Sequence, residues 1–599
     1  MTTHHRRTTL KGLALALGAA VLPACASRQP PTPPIRQGDT AAAMVQLQAW
    51  LQQQWRQHSS VNLSVAVLDG EQLAWSGGFG QADPPRILAA TARSRYRAGS
   101  ISKVFTTMAA MQLSEQGRLD LDAPLSDALP GFRMRSRFAG ARPVTVRQIL
   151  QHRSGLPSDR AQGMWTDTPV DLEGLVLALR DEYLAFPPGE VQSYSNIGFS
   201  LLGAAIEHLT GEPFARHMQT QLLEPMGMLD SAFEIAPPDG PNAAVALDIK
   251  GKVEQEPGLR DMPAGGLNTT VVDLLRLARL WFAEGRLTGR QVLSPRTIMA
   301  MQTTPAEPPL SDSARVGLGW HLLDEEFDGV GPLLWHAGGT PHHHAQLMLL
   351  PQLKLAVSVM SSAVGAGELA QEAALKALAL MATARTGTDP VRPLRQGKDS
   401  AHPPVALNTL SGHYDTPLGV VHLKNNGTHT SAEAMGKRLG LTQDANGYAR
   451  LQFRLLGLFP VNLGRLAEVA FTRHDVPNGQ TWLLVRRKGR FTLLGTQLEP
   501  VPIPASWRQR LGTYLYAGDD PLLAEQFKAV RLFEEAGLLL AEVDAGPEST
   551  RLALAPVDKE HAIVRGLGRG RGDTVHASQE GSDTVLTANG MRFVRQVSA

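Results

Sequence analysis

A single cysteine, Cys25, occurs in 599 residues. One thiol forms no intramolecular disulfide and builds neither a thiolate zinc site nor a CxxC redox pair. Excess charge is missing too: 58 basic against 56 acidic residues leave a net +2. That balance argues against a nucleic-acid binder or a basic membrane-surface protein. The apolar run at the N-terminus, residues 12–24, is shorter than the ~20 residues a spanning helix needs. No Gly-x-Ser-x-Gly elbow occurs, so an α/β-hydrolase has no nucleophile turn. His-Glu-x-x-His, the phosphate-cradling Gly-x-x-x-x-Gly-Lys-Ser/Thr loop and an EF-hand loop are absent as well, and no cofactor is implied.

What is present describes an ordinary globular protein, 43% hydrophobic and 19% charged, long enough for several domains. Arg6-Arg7-Thr8-Thr9-Leu10-Lys11 precedes the apolar run and resembles a twin-arginine export signal. Leu22-Pro23-Ala24-Cys25 resembles a bacterial lipobox, which makes Cys25 the expected lipidation site and new N-terminus. A plain cleaved signal, releasing a soluble periplasmic protein, is the alternative. Arg28-Gln29-Pro30-Pro31-Thr32-Pro33-Pro34 then reads as an extended tether. The expected place is the bacterial periplasm, with the membrane as a partner through the anchor.

Residues 41–385 mix strands and helices. Residues 61–68, Asp69-Gly70 and 72–75 read as a hairpin. Helical periodicity follows around Val104 to Leu113, Leu201 to Leu209 and Val272 to Trp281, and 368–383 is helical again. Two apolar runs, 345–350 and 353–360, flank Pro351. Strands at both ends with helices between predict an α+β catalytic domain, an antiparallel sheet flanked by helices. After a linker at 386–405 come strand-like runs with turns every 8–12 residues, as in barrels. Gly412-His413-Tyr414 and Gly512-Thr513-Tyr514 suggest an internal repeat. The expected organisation is an export signal (1–25), a tether (26–40), the catalytic domain (41–385), the linker, and two small all-β, barrel-like domains (406–503 and 504–599).

Three motifs in the first domain carry chemistry. In Ser100-Ile101-Ser102-Lys103, residues three apart share a helix face, so Lys103 can reach the Ser100 hydroxyl at the helix N-terminus. Tyr194-Ser195-Asn196 follows the Pro187-Pro188-Gly189 turn; a phenol beside an ammonium can relay a proton. His336-Ala337-Gly338-Gly339 offers a strand edge that a ligand can approach, with a backbone N–H for an oxyanion.

In this order the three resemble the penicillin-recognising serine hydrolases: class C β-lactamases, DD-peptidases, D-aminopeptidases and related esterases. His152-Arg153-Ser154-Gly155-Leu156-Pro157, Pro225-Met226-Gly227-Met228 and Gly265-Gly266-Leu267-Asn268-Thr269-Thr270 with Asp273 add to the likeness. The trailing β-rich segments resemble the two small barrels of D-aminopeptidase. The resemblance implies that Ser100 is the acylated nucleophile, that Lys103 eases its deprotonation, and that Tyr194 serves the leaving group and the deacylating water. It implies that Asn196 bonds Lys103 or the substrate amide, and that Ser100 and Gly339 N–H groups hold the oxyanion beside His336 and Gly338.

His336 stands where many relatives carry lysine. An unperturbed imidazole is mostly neutral at pH 7, and Ala337 lacks a hydroxyl. The expectation is a weaker grip on a substrate carboxylate, favouring hydrolysis of small amides, D-residue peptides or esters, including peptidoglycan-derived ones. The alternatives are a slow or non-catalytic binder of penicillin or peptidoglycan fragments, and a class C-like β-lactamase. Adjacent His342, His343 and His344 point to alternate faces of a strand, so polarity at the pocket rim is expected and no metal. The alternation Arg565, Arg569, Arg571 with glycines, including Arg571-Gly572-Asp573, reads as a flexible hairpin loop.

Overall fold

The computed structural model describes residues 34–596 apart from 59, 306–314, 324–326, 328, 392–400, 428, 456–458, 462–468, 477–478, 488–489 and 545–548. The expected export signal, Cys25 and most of the expected tether lie outside the described residues, as does the middle of the expected linker.

Asp69 and Gly70 turn the chain between strands Leu63–Asp69 and Gln72–Phe79. These form one edge of a seven-stranded antiparallel sheet. Leu63–Asp69 pairs with Leu355–Ser361, and the order continues through His344–Leu350, Leu333–Gly339 and His321–Leu323 to Arg315–Val316. The two ends of the domain therefore meet in mid-sheet, as the sequence predicts. Side chains alternate across a strand. Val65 and Val67 pack against Leu47 and Leu51 of helix Thr40–Gln57 and Ala373 and Ala377 of helix Gly367–Thr386. Ala66 and Leu68 belong to the opposite core, with Leu274 and Leu277 of helix Val271–Phe282 and Phe105 of helix Ser102–Glu115. A strand covered on both faces must be apolar throughout, and Leu63 to Leu68 are all buried.

Two closed eight-stranded barrels follow. The first closes because Ala449–Leu455 pairs both with Ala470–Asp475 and with Lys437–Gln443; Phe459–Val461 adds a short hairpin strand outside the ring. The second runs from Gly512–Tyr516 to Met591–Arg595, which pair to close it. The suspected repeat is visible in the pairings. Tyr414 and Tyr514 are fully buried in the first strand of each barrel, opposite Gln497 and Arg595 of the last.

The Arg-Gly segment is no free hairpin loop. It leaves the second barrel at a neck closed by Gly572 N–H to Val564 O (2.8 Å) and Val564 N–H to Asp573 O (3.0 Å), and it wedges between the other two domains. Arg571 makes a buried ion pair with Asp415 of the first barrel (2.6 Å) and donates to Thr416 O (2.6 Å). Local composition suggested flexibility; non-local ion pairs fix the loop. Burial raises the Asp415 carboxyl to about 6 despite Arg571. Arg571→Met would strand that carboxylate, and removing one partner of a buried pair costs about 3–5 kcal/mol. Because the Asp415 pKa is raised in the folded state, the charged form is the penalised one. The expected loss in thermal midpoint is therefore greater at pH 8 than at pH 5.

Candidate active site

Ser100 sits in the 3-10 turn Gly99–Ile101 that leads into helix Ser102–Glu115. Gly99 has φ +52°, and a Cβ there would lie 2.8 Å from Gly339 N. A Cβ on Gly338 would lie 1.8 Å from Ala98 O. The Ser100 turn and the 338–339 strand edge thus touch backbone to backbone, which only glycine permits. The helix turn brings Lys103 back to Ser100. Lys103 is fully buried and donates from Nζ to Ser100 Oγ (3.1 Å) and to Ala264 O (2.7 Å). Burial, reinforced by the positive charge of Arg569, holds its ammonium well below the usual lysine range. Asp159 and Asp261 oppose that shift.

Tyr194 shares a hydrogen bond with Ser100, and Lys103 Nζ lies 4.8 Å from its ring centroid. Burial raises the phenol above its ordinary value, against the effects of Ser100 and Arg569. Just beyond it, Ser195 caps helix Asn196–Thr210 by accepting from Gly198 N–H. Ser100, Lys103 and Tyr194 therefore converge. Asn196 lies beside them but does not bond Lys103: its Nδ2 donates to Asp159 Oδ1 (2.6 Å). Asp159 in turn pairs with Arg569 from the wedged loop (2.9 Å), whose guanidinium stands 5.5 Å over the Tyr194 ring. Arg569 remains 57% exposed, open to solvent at the site. Its neighbours on the loop are tied down, Gly570 N–H to Ser158 Oγ (2.9 Å) and Gly568 O from Ser193 Oγ (3.2 Å).

His336 is buried with Nδ1 2.7 Å from Ala337 O. It meets His321 edge-on, centroids 5.1 Å apart, and His321 stacks on Trp335 at 4.8 Å. Burial pushes His321 down to about 4 and His336 well below its ordinary value, with Lys103 adding to both shifts. Position 336 thus carries a neutral ring. His342, His343 and His344 diverge. His342 bonds Glu256 (2.8 Å), His343 accepts Arg97 N–H (3.2 Å), and His344 lies beside Gly367. His343 is buried in a structural bond, which corrects the expectation of rim polarity for that residue. No group of three or more His, Cys, Asp or Glu among the described residues could hold a metal ion.

Sequence reasoning passed over Arg569, Asp159 and the part played by His152. His152 has φ +54°. Its carbonyl accepts Ser193 N–H (2.7 Å) and its Nδ1 accepts Ser195 N–H (3.2 Å). Its ring packs on Tyr194 with centroids 4.3 Å apart. One residue thus grips the chain on both sides of Tyr194. His152→Ala leaves a buried N–H unpaired, a loss of about 1–3 kcal/mol. Asparagine brings an acceptor and tolerates the left-handed backbone. His152→Asn is therefore expected to keep a higher thermal midpoint than His152→Ala.

The family model described as Beta-lactamase matches residues 47–381. The chain belongs to the β-lactamase family, a serine-hydrolase superfamily. Protein flp of Staphylococcus aureus is 24% identical over 305 residues, 50% of this chain and 59% of that protein. The chain thus spans less than two thirds of the length of that relative. Penicillin-binding protein 4 of Amycolatopsis lactamdurans is 31% identical over 279 residues, 44% of this chain and 71% of that protein. Among solved structures, SurE with D-Leu superposes with a TM-score of 0.56 at 24% identity, covering 76% of this chain and 100% of that one. The octameric penicillin-binding protein homologue from Pyrococcus abyssi gives 0.50 at 19%, covering 85% and 99%. At those identities the two structures speak to the fold alone.

Proposed function

We propose that the protein is a penicillin-binding serine acyl-enzyme that turns over slowly. Ser100 takes the acyl group of a small amide bearing a carboxylate, supplied by a peptidoglycan-derived D-residue peptide or a β-lactam. The observation that carries this reading is Arg569, a half-exposed cation standing over Tyr194 and paired with Asp159. With His336 neutral, Arg569 supplies the charge that a carboxylate seeks. It removes the ground for expecting a weak grip on such substrates. Lys103 in its neutral form takes the Ser100 proton, Tyr194 gives its own proton to the leaving group and recovers one from Lys103, and the Ser100 and Gly339 N–H groups hold the oxyanion. The 31% identity to a penicillin-binding protein supports the same reading.

A second reading, faster hydrolysis of small amides or esters, is favoured by the proton-transfer set Ser100, Lys103 and Tyr194 standing together. Fluorescent penicillin and a short p-nitrophenyl ester separate the two. The expected result is a penicillin label that persists after excess reagent is removed. Rapid decay with β-lactam turnover points to a class C-like β-lactamase. Ester turnover without any penicillin label sinks the proposal. Export and lipidation at Cys25 belong to the same proposal and rest on the sequence; palmitate incorporation lost in Cys25→Ser is the test.

A further inference from the structure

All three domains meet in a groove of about 580 Å³ at the root of the wedged loop. Phe186 of the catalytic domain, Leu498 of the first barrel, and Ile563 and Leu567 of the second give it apolar walls. Its size falls within the ~300–1,000 Å³ of ligand pockets, which favour domain junctions. Two arginines line it, Arg137 and Arg565; neither makes an ion pair among the described residues, although Asp415 and Glu499 act on Arg565 from farther off and Arg137 stands over the Phe138 ring at 4.3 Å. Arg137 donates to Ala185 O (2.7 Å) and leaves a buried Nε without an acceptor; Arg565 donates to Glu499 O (2.5 Å). Burial holds both guanidiniums below their ordinary range. The neighbouring arginines of the same loop are matched, Arg569 to Asp159 and Arg571 to Asp415. Partly desolvated cations are costly unless an anion meets them. An anion that settles here must also cover apolar walls. Glu190, the one acidic lining residue, is exposed and suits an ammonium at the other end of the ligand.

We propose that this groove is a binding site, separate from Ser100, for a short peptide with a free C-terminal carboxylate. Arg137 and Arg565 take the carboxylate, the apolar walls take the side chains, and Glu190 faces the amino end. The test is calorimetric titration of the full chain with free Ala-Leu-Ala and with its C-terminal amide. The free peptide is expected to bind with a Kd below about 1 mM. The amide should bind about tenfold more weakly or worse, since it forgoes the charge-assisted bonds. Arg137→Gln and Arg565→Gln should each weaken the free peptide about tenfold while leaving the amide unchanged. Leu567→Ala, which removes an apolar wall and leaves both arginines in place, should weaken both peptides alike. Ser100→Ala and Arg569→Gln should leave binding intact, so this site is read independently of the acylation proposal. Equal affinity for acid and amide, or loss on Arg569→Gln with Arg565→Gln unaffected, would overturn the inference. So would the absence of any heat up to about 10 mM peptide.

Discussion

Ser100→Ala is expected to abolish covalent labelling by penicillin and to cut ester or amide turnover by about 10³-fold or more, down to what binding and the oxyanion donors supply. The hydroxyl is the one group in the pocket that both Lys103 and Tyr194 contact. Neither neighbour can substitute for it. Lys103 is committed to Ala264 O, and the Tyr194 phenol is raised by burial and thus kept protonated. Alanine removes a single atom at a turn whose backbone is fixed by Gly99 and Gly338, so the fold should persist. Mass spectrometry of intact protein after penicillin treatment checks it: the adduct mass appears in wild type and not in the variant. An adduct that survives in Ser100→Ala would move the nucleophile elsewhere.

Arg569→Gln is expected to shift the acidic limb of the acylation rate to higher pH. In the proposed mechanism Lys103 acts through its neutral amine, so the rate rises as its proton leaves. Its pKa is depressed by burial first and by Arg569 second. Removing Arg569 removes one opposing charge, so Lys103 keeps its proton to higher pH and the limb moves up. At a fixed acidic pH the rate then drops about tenfold for every pH unit by which the limb has moved. Asp159→Asn is expected to move the limb the other way, because Asp159 favours the charged lysine. Stopped-flow acylation between pH 5 and pH 10, with both variants, reads the sign directly. Identical limbs in all three proteins would mean that Lys103 does not set the profile.

What the sequence made legible was local. Ser100 and Lys103 are one helical turn apart, and that spacing alone dictates their meeting. Asp69-Gly70 declares the hairpin, and turn spacing with the repeated Gly-x-Tyr declares the barrels. Tyr194 required the resemblance to a family, since nothing around it signals where helix Asn196–Thr210 will dock. Arg569 was legible to neither route. Its loop looks polar and glycine-rich, and its partners Asp159 and Tyr194 lie in another domain. Asn196 shows the same limit: the resemblance implied a bond to Lys103 or to the substrate amide, and its amide donates instead to Asp159, a carboxylate brought close by tertiary packing. His343 looked like one of three equivalent histidines until Arg97 claimed it.

The wedged loop has a consequence for how the protein comes into being. During synthesis Ser100, Lys103 and Tyr194 emerge first, whereas Arg569 follows Ser100 by 469 residues. A nascent chain halted at the 386–405 linker carries Ser100, Lys103 and Tyr194 without the cation that stands over Tyr194. The complete site exists only after the second barrel has closed and laid its loop across the first domain. The order of the chain thus places Ser100 and Arg569, the arginine over Tyr194, 469 residues apart, in domains made one after the other.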